Sequence, residues 1–305
     1  MTEKILYTNY YQEGHWGHTL NDLTIVQKSF EDNCKPIIYL LGDSVLDNKD
    51  YIINVYYDAI NGYEKILTDS HGNVGKMKPD VCYYLSKLME DNSKTYGVIN
   101  TAVIYSKLYD RQNNLFFTDN FASKYVTPND IFVISLGIDD LIFFQRNIIL
   151  WNMIKLIHFN ALDTIKQGPD AAYGLNFFVK MFQDELQGYI NKLLSNTNVK
   201  PKKIILCMFY FPAIINDTCC CSNWENYFLS LLDYNNNPEP IKESIRQIYQ
   251  YAISKIQIDG IDIIPCPLYE VLDGSNVDDY YDRLGPSQQG GQKIAQKLYD
   301  IITNN

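Results

Sequence analysis

The chain has 305 residues, 46% of them hydrophobic, which is enough for one large α/β domain or two small ones with a substantial core. A formal net charge of −10 and a pI near 4.9 argue against a nucleic-acid groove or an anionic membrane surface as partner. The first seven residues lack an apolar core of signal-peptide length. The most apolar later stretch, 141–162, is interrupted by Gln145, Arg146, Asn147, Asn152 and Lys155, so no membrane span is expected. A cytoplasmic or otherwise intracellular protein is the expectation.

In chain order, residues 1–35 form a mixed N-terminal extension. An apolar run at 37–41 then ends in Gly42-Asp43-Ser44. An insertion near 50–78 carries Tyr51, Tyr56, Tyr57, Tyr63 and His71. Further apolar runs at 97–103, 131–136, 204–210 and 261–265 are rich in Ile and Val with little alternation, as strands buried on both faces require. Leu175, Phe178, Val179, Phe182, Leu186, Tyr189, Ile190 and Leu193 form one helical stripe. A second insertion near 212–240 contains Cys219-Cys220-Cys221 and Asn235-Asn236-Asn237. Two more stripes follow: Ile241, Ile245, Ile248, Ala252 and Ile256, then Ile294, Leu298, Ile301 and Ile302 after Gly285-Pro286-Ser287.

Strands alternating with helices imply parallel pairing and right-handed crossovers, hence a doubly wound α/β/α sheet of about five strands. With no internal repeat and no linker, 36–305 reads as one domain. The seven cysteines do not pair into a zinc site: Cys34, Cys82, Cys207 and Cys266 sit singly, and three adjacent thiols have the wrong spacing.

Ligands of such sheets collect at the carboxyl ends of the strands. Four segments should converge there: Asp43-Ser44, Asn100-Thr101-Ala102, Gly137-Ile138-Asp139-Asp140 and Asp282-Arg283-Leu284-Gly285-Pro286-Ser287. A serine on a tight turn after a strand suits a nucleophile flanked by backbone N–H groups. An Asp-Ser pair at a helix start also suits a simple N-cap.

The segment from Gly42 to Asn48, the Gly137-Ile138-Asp139-Asp140 segment and Asp282…Pro286-Ser287 resemble, in order over roughly 36–304, the blocks of the GDSL or SGNH hydrolase family. That resemblance implies a flavodoxin-like sheet and a serine esterase, lipase or carbohydrate-deacetylase activity. The substrate or ligand would be a small-molecule ester, lipid or carbohydrate, with no cofactor. It assigns Ser44 as nucleophile and its own N–H as the first oxyanion donor. Ala102 stands at a glycine that supplies a second donor. Asp139 replaces a donating asparagine. Asp282 matches the acid, and Gly285 stands where the histidine base belongs; no histidine follows His158.

These departures bear directly on the chemistry. Losing the base of a catalytic serine costs on the order of a millionfold in turnover. An ionised carboxylate about 4 Å from a developing oxyanion repels it by roughly 4 kcal/mol at an effective dielectric near 20. Three rescues are open: Asp139 in an apolar site could stay protonated and donate a hydrogen bond, or either Asp139 or Asp140 could serve as base for Ser44. His71 would otherwise have to fold over the cleft; His15, His18 and His158 have weaker claims. An otherwise intact site would gain activity on Gly285→His. Two other classes compete. Asp43, Asp47, Asp139, Asp140 and Asp282 could gather around Mg²⁺ for phosphoester hydrolysis. Alternatively, a pseudoenzyme could bind an acyl or sugar group among the aromatics of 50–63 and Phe143-Phe144.

Overall fold

The computed structural model describes residues 3–12, 17–142, 147–215 and 224–304. His15, Phe143, Phe144 and the Cys219–Cys221 run lie outside the described residues.

Five strands form one parallel sheet: β1 (Ile37–Gly42), β2 (Gly97–Asn100), β3 (Ile131–Ser135), β4 (Lys203–Met208) and β5 (Asp262–Pro267). Their order is β2-β1-β3-β4-β5. Every residue of β1 through β4 is buried, the reason these segments read as unbroken apolar runs. Among the helices are α1 (Leu20–Asp32), α2 (Val81–Asp91), α3 (Leu108–Asn113), α4 (Phe117–Tyr125), α5 (Ile138–Ile142), α6 (Asn147–His158), α7 (Leu186–Ser195), α8 (Glu239–Tyr251) and α9 (Gln288–Asn304). Helix α9 packs on α2 along one face of the sheet; α4 packs against α1 and α7 on the other. The result is a three-layer α/β/α sandwich. The stripe from Leu175 to Leu193 lies wholly in the core, as its period requires. Among the described residues no helix is long and apolar enough to cross a membrane.

Strand order places the site. The chain leaves β1 toward β2 on one side, then returns to β3 on the other. The carboxyl ends of β1 and β3 therefore flank the topological switch point, where helices leave an open crevice. The expected strand 97–103 ends at Asn100. Beyond it the chain bends over the end of β1, with the Val103 N–H donating to the Gly42 carbonyl at 2.9 Å.

The extension and the first insertion are built together. Helix α1 sinks Leu23, Val26 and Phe30 into the core. Ile5–Leu6 pairs in parallel with Leu67–Thr68, and Tyr57–Asp58 pairs antiparallel with Lys76–Met77. Beneath them lies a buried ionic cluster. Lys49 pairs with Asp47 at 2.5 Å, and Lys78 donates to the Lys49 carbonyl at 2.9 Å. Asp80 caps α2 through Oδ1, accepting from the Tyr83 N–H at 2.8 Å, while its Oδ2 has no protein partner. Burial pushes Asp80 up to about 7 against these bonds.

Because Asp80 ionises less readily folded than unfolded, its cost is absent below about pH 4 and complete above about pH 7. Asp80→Asn keeps a capping side chain and removes the charge. It should raise the melting temperature by a few degrees at pH 8 and by much less at pH 5. Equal shifts at both pH values in thermal melts would contradict this account.

Candidate functional site

Ser44 is set by the meeting of β1 and β3. Gly42 has φ +149°, and any Cβ there would overlap the Ser135 carbonyl oxygen. The Asp43 N–H donates to that same oxygen at 3.0 Å. The chain then makes one helical turn, with the Leu46 and Asp47 N–H groups donating to the Asp43 carbonyl. No full helix follows; a 3₁₀ turn at Lys49–Tyr51 comes next. The Gly42 carbonyl also accepts from Ser106 Oγ at 3.1 Å and Arg111 Nη2 at 2.8 Å. Arg111 is fully buried and paired with Asp119, so the turn beneath Ser44 is gripped by a charge-assisted network. Ser106, Arg111 and Asp119 carried no sequence signal.

Two expected site carboxylates are scaffold. Asp43 accepts from Val45 N–H at 3.2 Å and Gly137 N–H at 3.1 Å, tying the turn after β1 to the turn after β3. Asp140 accepts from the Leu108 and Tyr109 N–H groups at 2.6 and 3.0 Å and so caps α3 from outside. Ala102, expected to offer a second donor, has its N–H taken: it donates to Asn100 Oδ1, two residues back, at 3.0 Å. In the same turn Tyr105, at φ +61°, is the residue that reaches the site.

The chemistry concentrates on Ser44 and Asp139, which are 6% and 2% exposed. Ser44 Oγ lies 3.3 Å from both carboxylate oxygens of Asp139. Burial pushes Asp139 up to about 7; hydrogen bonds from the Ser44 hydroxyl and Ser44 N–H oppose the rise, and neighbouring Asp140 adds to it. The carboxylate thus lies beside the N–H that the family resemblance assigns to the oxyanion.

The histidine's place is filled by Tyr51. A Cβ on Gly285 would stand 2.6 Å from Cε2 and Cζ of the Tyr51 ring. That ring stacks on Tyr281 with centroids 5.3 Å apart. Its phenol lies close enough to Ser44 and Tyr105 to influence, and be influenced by, both. Burial foremost, then Tyr105, Asp282 and Asp139, drives its pKa far up, so the phenol stays neutral and can donate. Asp282 Oδ1 accepts from the Leu284 and Gly285 N–H groups at 2.7 and 2.6 Å, which shapes the loop beside Tyr51. Sequence reading placed Tyr51 only among the aromatics of the insertion; nothing local marks it, because only the fold brings it to Gly285. Of its companions, Tyr56 packs on Tyr7, Tyr57 on Tyr83, and Tyr63 on Phe30.

The histidines are elsewhere. His71 is exposed on its turn, its N–H donating to Asp69 at 2.8 Å and its ring near Ser70. It does not fold over Ser44, because Asp69 ties the turn closed on itself. His18 stacks on Tyr10, and His158 meets the Leu231 carbonyl at 2.9 Å. The five aspartates expected around Mg²⁺ are committed separately, Asp47 to Lys49 and the others as above. Among the described residues no group of three His, Cys, Asp or Glu side chains could hold a metal ion.

No family model matches the chain, and no curated protein matches it. Solved structures do. A lipase from a goat rumen metagenome superposes with a TM-score of 0.50 at 14% identity, over 86% of this chain and 95% of that one. A GDSL-like lipase from Parabacteroides merdae (TM-score 0.43, 14% identity, 88% and 96% coverage) and an acetyl xylan esterase variant from Geobacillus stearothermophilus (0.44, 15%, 88% and 94%) also match. At these identities the likeness is one of fold: the chain shares the three-layer α/β/α fold of the rumen lipase.

Of the two outcomes open for Gly285→His, the ring of Tyr51 favours no gain, because a side chain at 285 meets that ring. Even Gly285→Ala should destabilise by about 1–3 kcal/mol through overpacking. In a Tyr51→Ala background that cost should vanish, a coupling readable from a double-mutant cycle of urea unfolding. Additive effects would show that the two positions do not compete for space.

Proposed function

We propose that this cleft hydrolyses small-molecule esters through Ser44, with Asp139 as the proton acceptor that histidine usually supplies. The observation that carries the reading is the contact of Ser44 Oγ with both Asp139 oxygens at 3.3 Å, on a carboxylate held near 7. Base strength follows pKa, so a carboxylate at about 7 is as competent an acceptor as an imidazole. The likeness of fold to a lipase supports the reaction class.

The steps balance on these groups. Ser44 Oγ bonds to the ester carbonyl carbon, its proton passes to Asp139, and the carbonyl oxygen takes the negative charge. Asp139, now neutral, releases the Ser44 N–H and no longer repels the oxyanion. The Ser44 N–H and the neutral Tyr51 phenol are then the donors toward it. Asp139 returns its proton to the departing alkoxide, leaving an acyl group on Ser44. Water repeats the sequence, giving up its proton to Asp139, releasing the carboxylic acid and restoring the Ser44 hydroxyl. Asp282 holds the loop that packs Tyr51 in place.

On p-nitrophenyl esters, Ser44→Ala should abolish turnover. The rate should rise with pH through about 7 and level off above, because the acceptor is the ionised form of Asp139. Asp139→Asn should cut the rate by about 10²–10⁴ and remove that pH limb. A faster Asp139→Asn enzyme would mean that the residue only blocks an oxyanion donor, and would sink the assignment.

A second reading is favoured by the Tyr51 ring filling the histidine's space and by the spent Ala102 N–H: a pseudoenzyme that binds an acyl or carbohydrate group without turning it over. Ligand binding that survives Ser44→Ala, with no ester hydrolysed by the unaltered protein, would select it.

A further inference from the structure

We infer that the outer face of α6, continued onto the helix Trp224–Leu231, is an interface on which a second copy of this chain packs. The inference does not depend on the ester reading. Helix α6 sinks Ile149, Met153 and Leu156 into the core. A surface helix is ordinarily polar on its other side. Here Ile148, Trp151 and Phe159 all face solvent, and their spacing puts them on one stripe.

Neighbouring segments widen the stripe. Phe159 prolongs the helix by one residue, its N–H donating to the Lys155 carbonyl at 3.1 Å. His158 beside it meets the Leu231 carbonyl at 2.9 Å, which sets the helix Trp224–Leu231 against α6. Tyr227 lies one turn before Leu231 on the same side of that helix. Asn160 holds the backbone of Tyr173 alongside: Oδ1 accepts from its N–H at 2.9 Å and Nδ2 donates to its carbonyl at 3.0 Å. Trp151, Phe159, Tyr173 and Tyr227 are 61% to 73% exposed. At about 200 Å² for each aromatic side chain, the four show roughly 550 Å². Ile148 and Leu231, also exposed, add to it. The largest apolar patch of a monomer is about 300–600 Å². A standard interface takes about 800 Å² from each partner, so this patch supplies most of one.

Area and charge together select the occupant. A two-fold contact sets the same patch on both sides, so apolar surface meets apolar surface with no second site required. Charges of both signs border it: Asp163 pairs with Lys166 at 3.2 Å, and Lys155 stands within the stripe, where its stem can lie along apolar surface. A net charge of −10 makes two copies repel on average, and a face without net charge is where that repulsion is least. A lipid surface would instead favour a border rich in Lys and Arg.

Sedimentation velocity of the full chain, at concentrations up to about 0.1 mM, should show reversible dimers of the 35.4 kDa protein. Added salt should strengthen them, because it screens the repulsion between like-charged copies and leaves the apolar contact. Trp151→Glu and Tyr227→Glu should each weaken dimerisation at least tenfold. Both residues face solvent, so circular dichroism of the two variants should match that of the unaltered chain. Val74→Glu, at an exposed apolar residue of the first insertion, should leave dimerisation unchanged. A monomer at every concentration, or dimers indifferent to both glutamate substitutions on the patch, would overturn the inference. So would a monomer that co-sediments with phosphatidylcholine vesicles and is released by Trp151→Glu, which would give the face to a lipid surface.

Discussion

The structure depends on the contact between the ends of β1 and β3. Gly42 leaves no room for a Cβ above the Ser135 carbonyl, so the two strands close to backbone contact where the sheet changes direction. The Gly42 carbonyl is then held by Val103, Ser106 and Arg111. Asp43 bridges to Gly137 on the next strand's turn. With both turns immobilised, Ser44 and Asp139 have little choice but to face each other. Their hydrogen bond follows from the scaffold and does not create it.

Burial gives the carboxylates around this crevice different fates according to what each meets. Asp47 meets the Lys49 ammonium and the Ile104 N–H. Asp140 meets two helix-start N–H groups. Asp139 meets a serine hydroxyl and amide with no cation bonded to it, and so sits near 7. A buried acid without a partner charge is the expensive case, and proteins keep such groups mostly where the proton is used. The aromatic side of the crevice follows similar logic. Lys49, anchored to Asp47, opens the 3₁₀ turn that presents Tyr51, and Gly285 provides the hollow that receives its ring.

Much of the fold was legible because burial on both faces leaves its mark on composition. The five apolar runs become the five strands with boundaries off by one to three residues, and the stripe from Leu175 to Leu193 lies in the core. The largest boundary error, at 97–103, has a tertiary cause: Val103 stays apolar but leaves the sheet to bend across Gly42. At the site, Ser44 and Asp139 were readable from their place after β1 and β3. Their companions were not. Ala102 was read as a donor from its position, yet Asn100 two residues earlier takes its N–H. Tyr51 and Tyr105 looked like two of 25 tyrosines.

The sequence by itself determined the strand–helix alternation, the serine at the end of the first strand and the absence of a histidine before the last helix. These are local facts, set by periodicity and by which residues follow which strand. Only the tertiary structure decided what took the vacated place. A glycine at 285 reads as a missing side chain until the fold lays the ring of residue 51 against it. Space-filling between segments some 230 residues apart depends on shape and distance, and neither is written in local order.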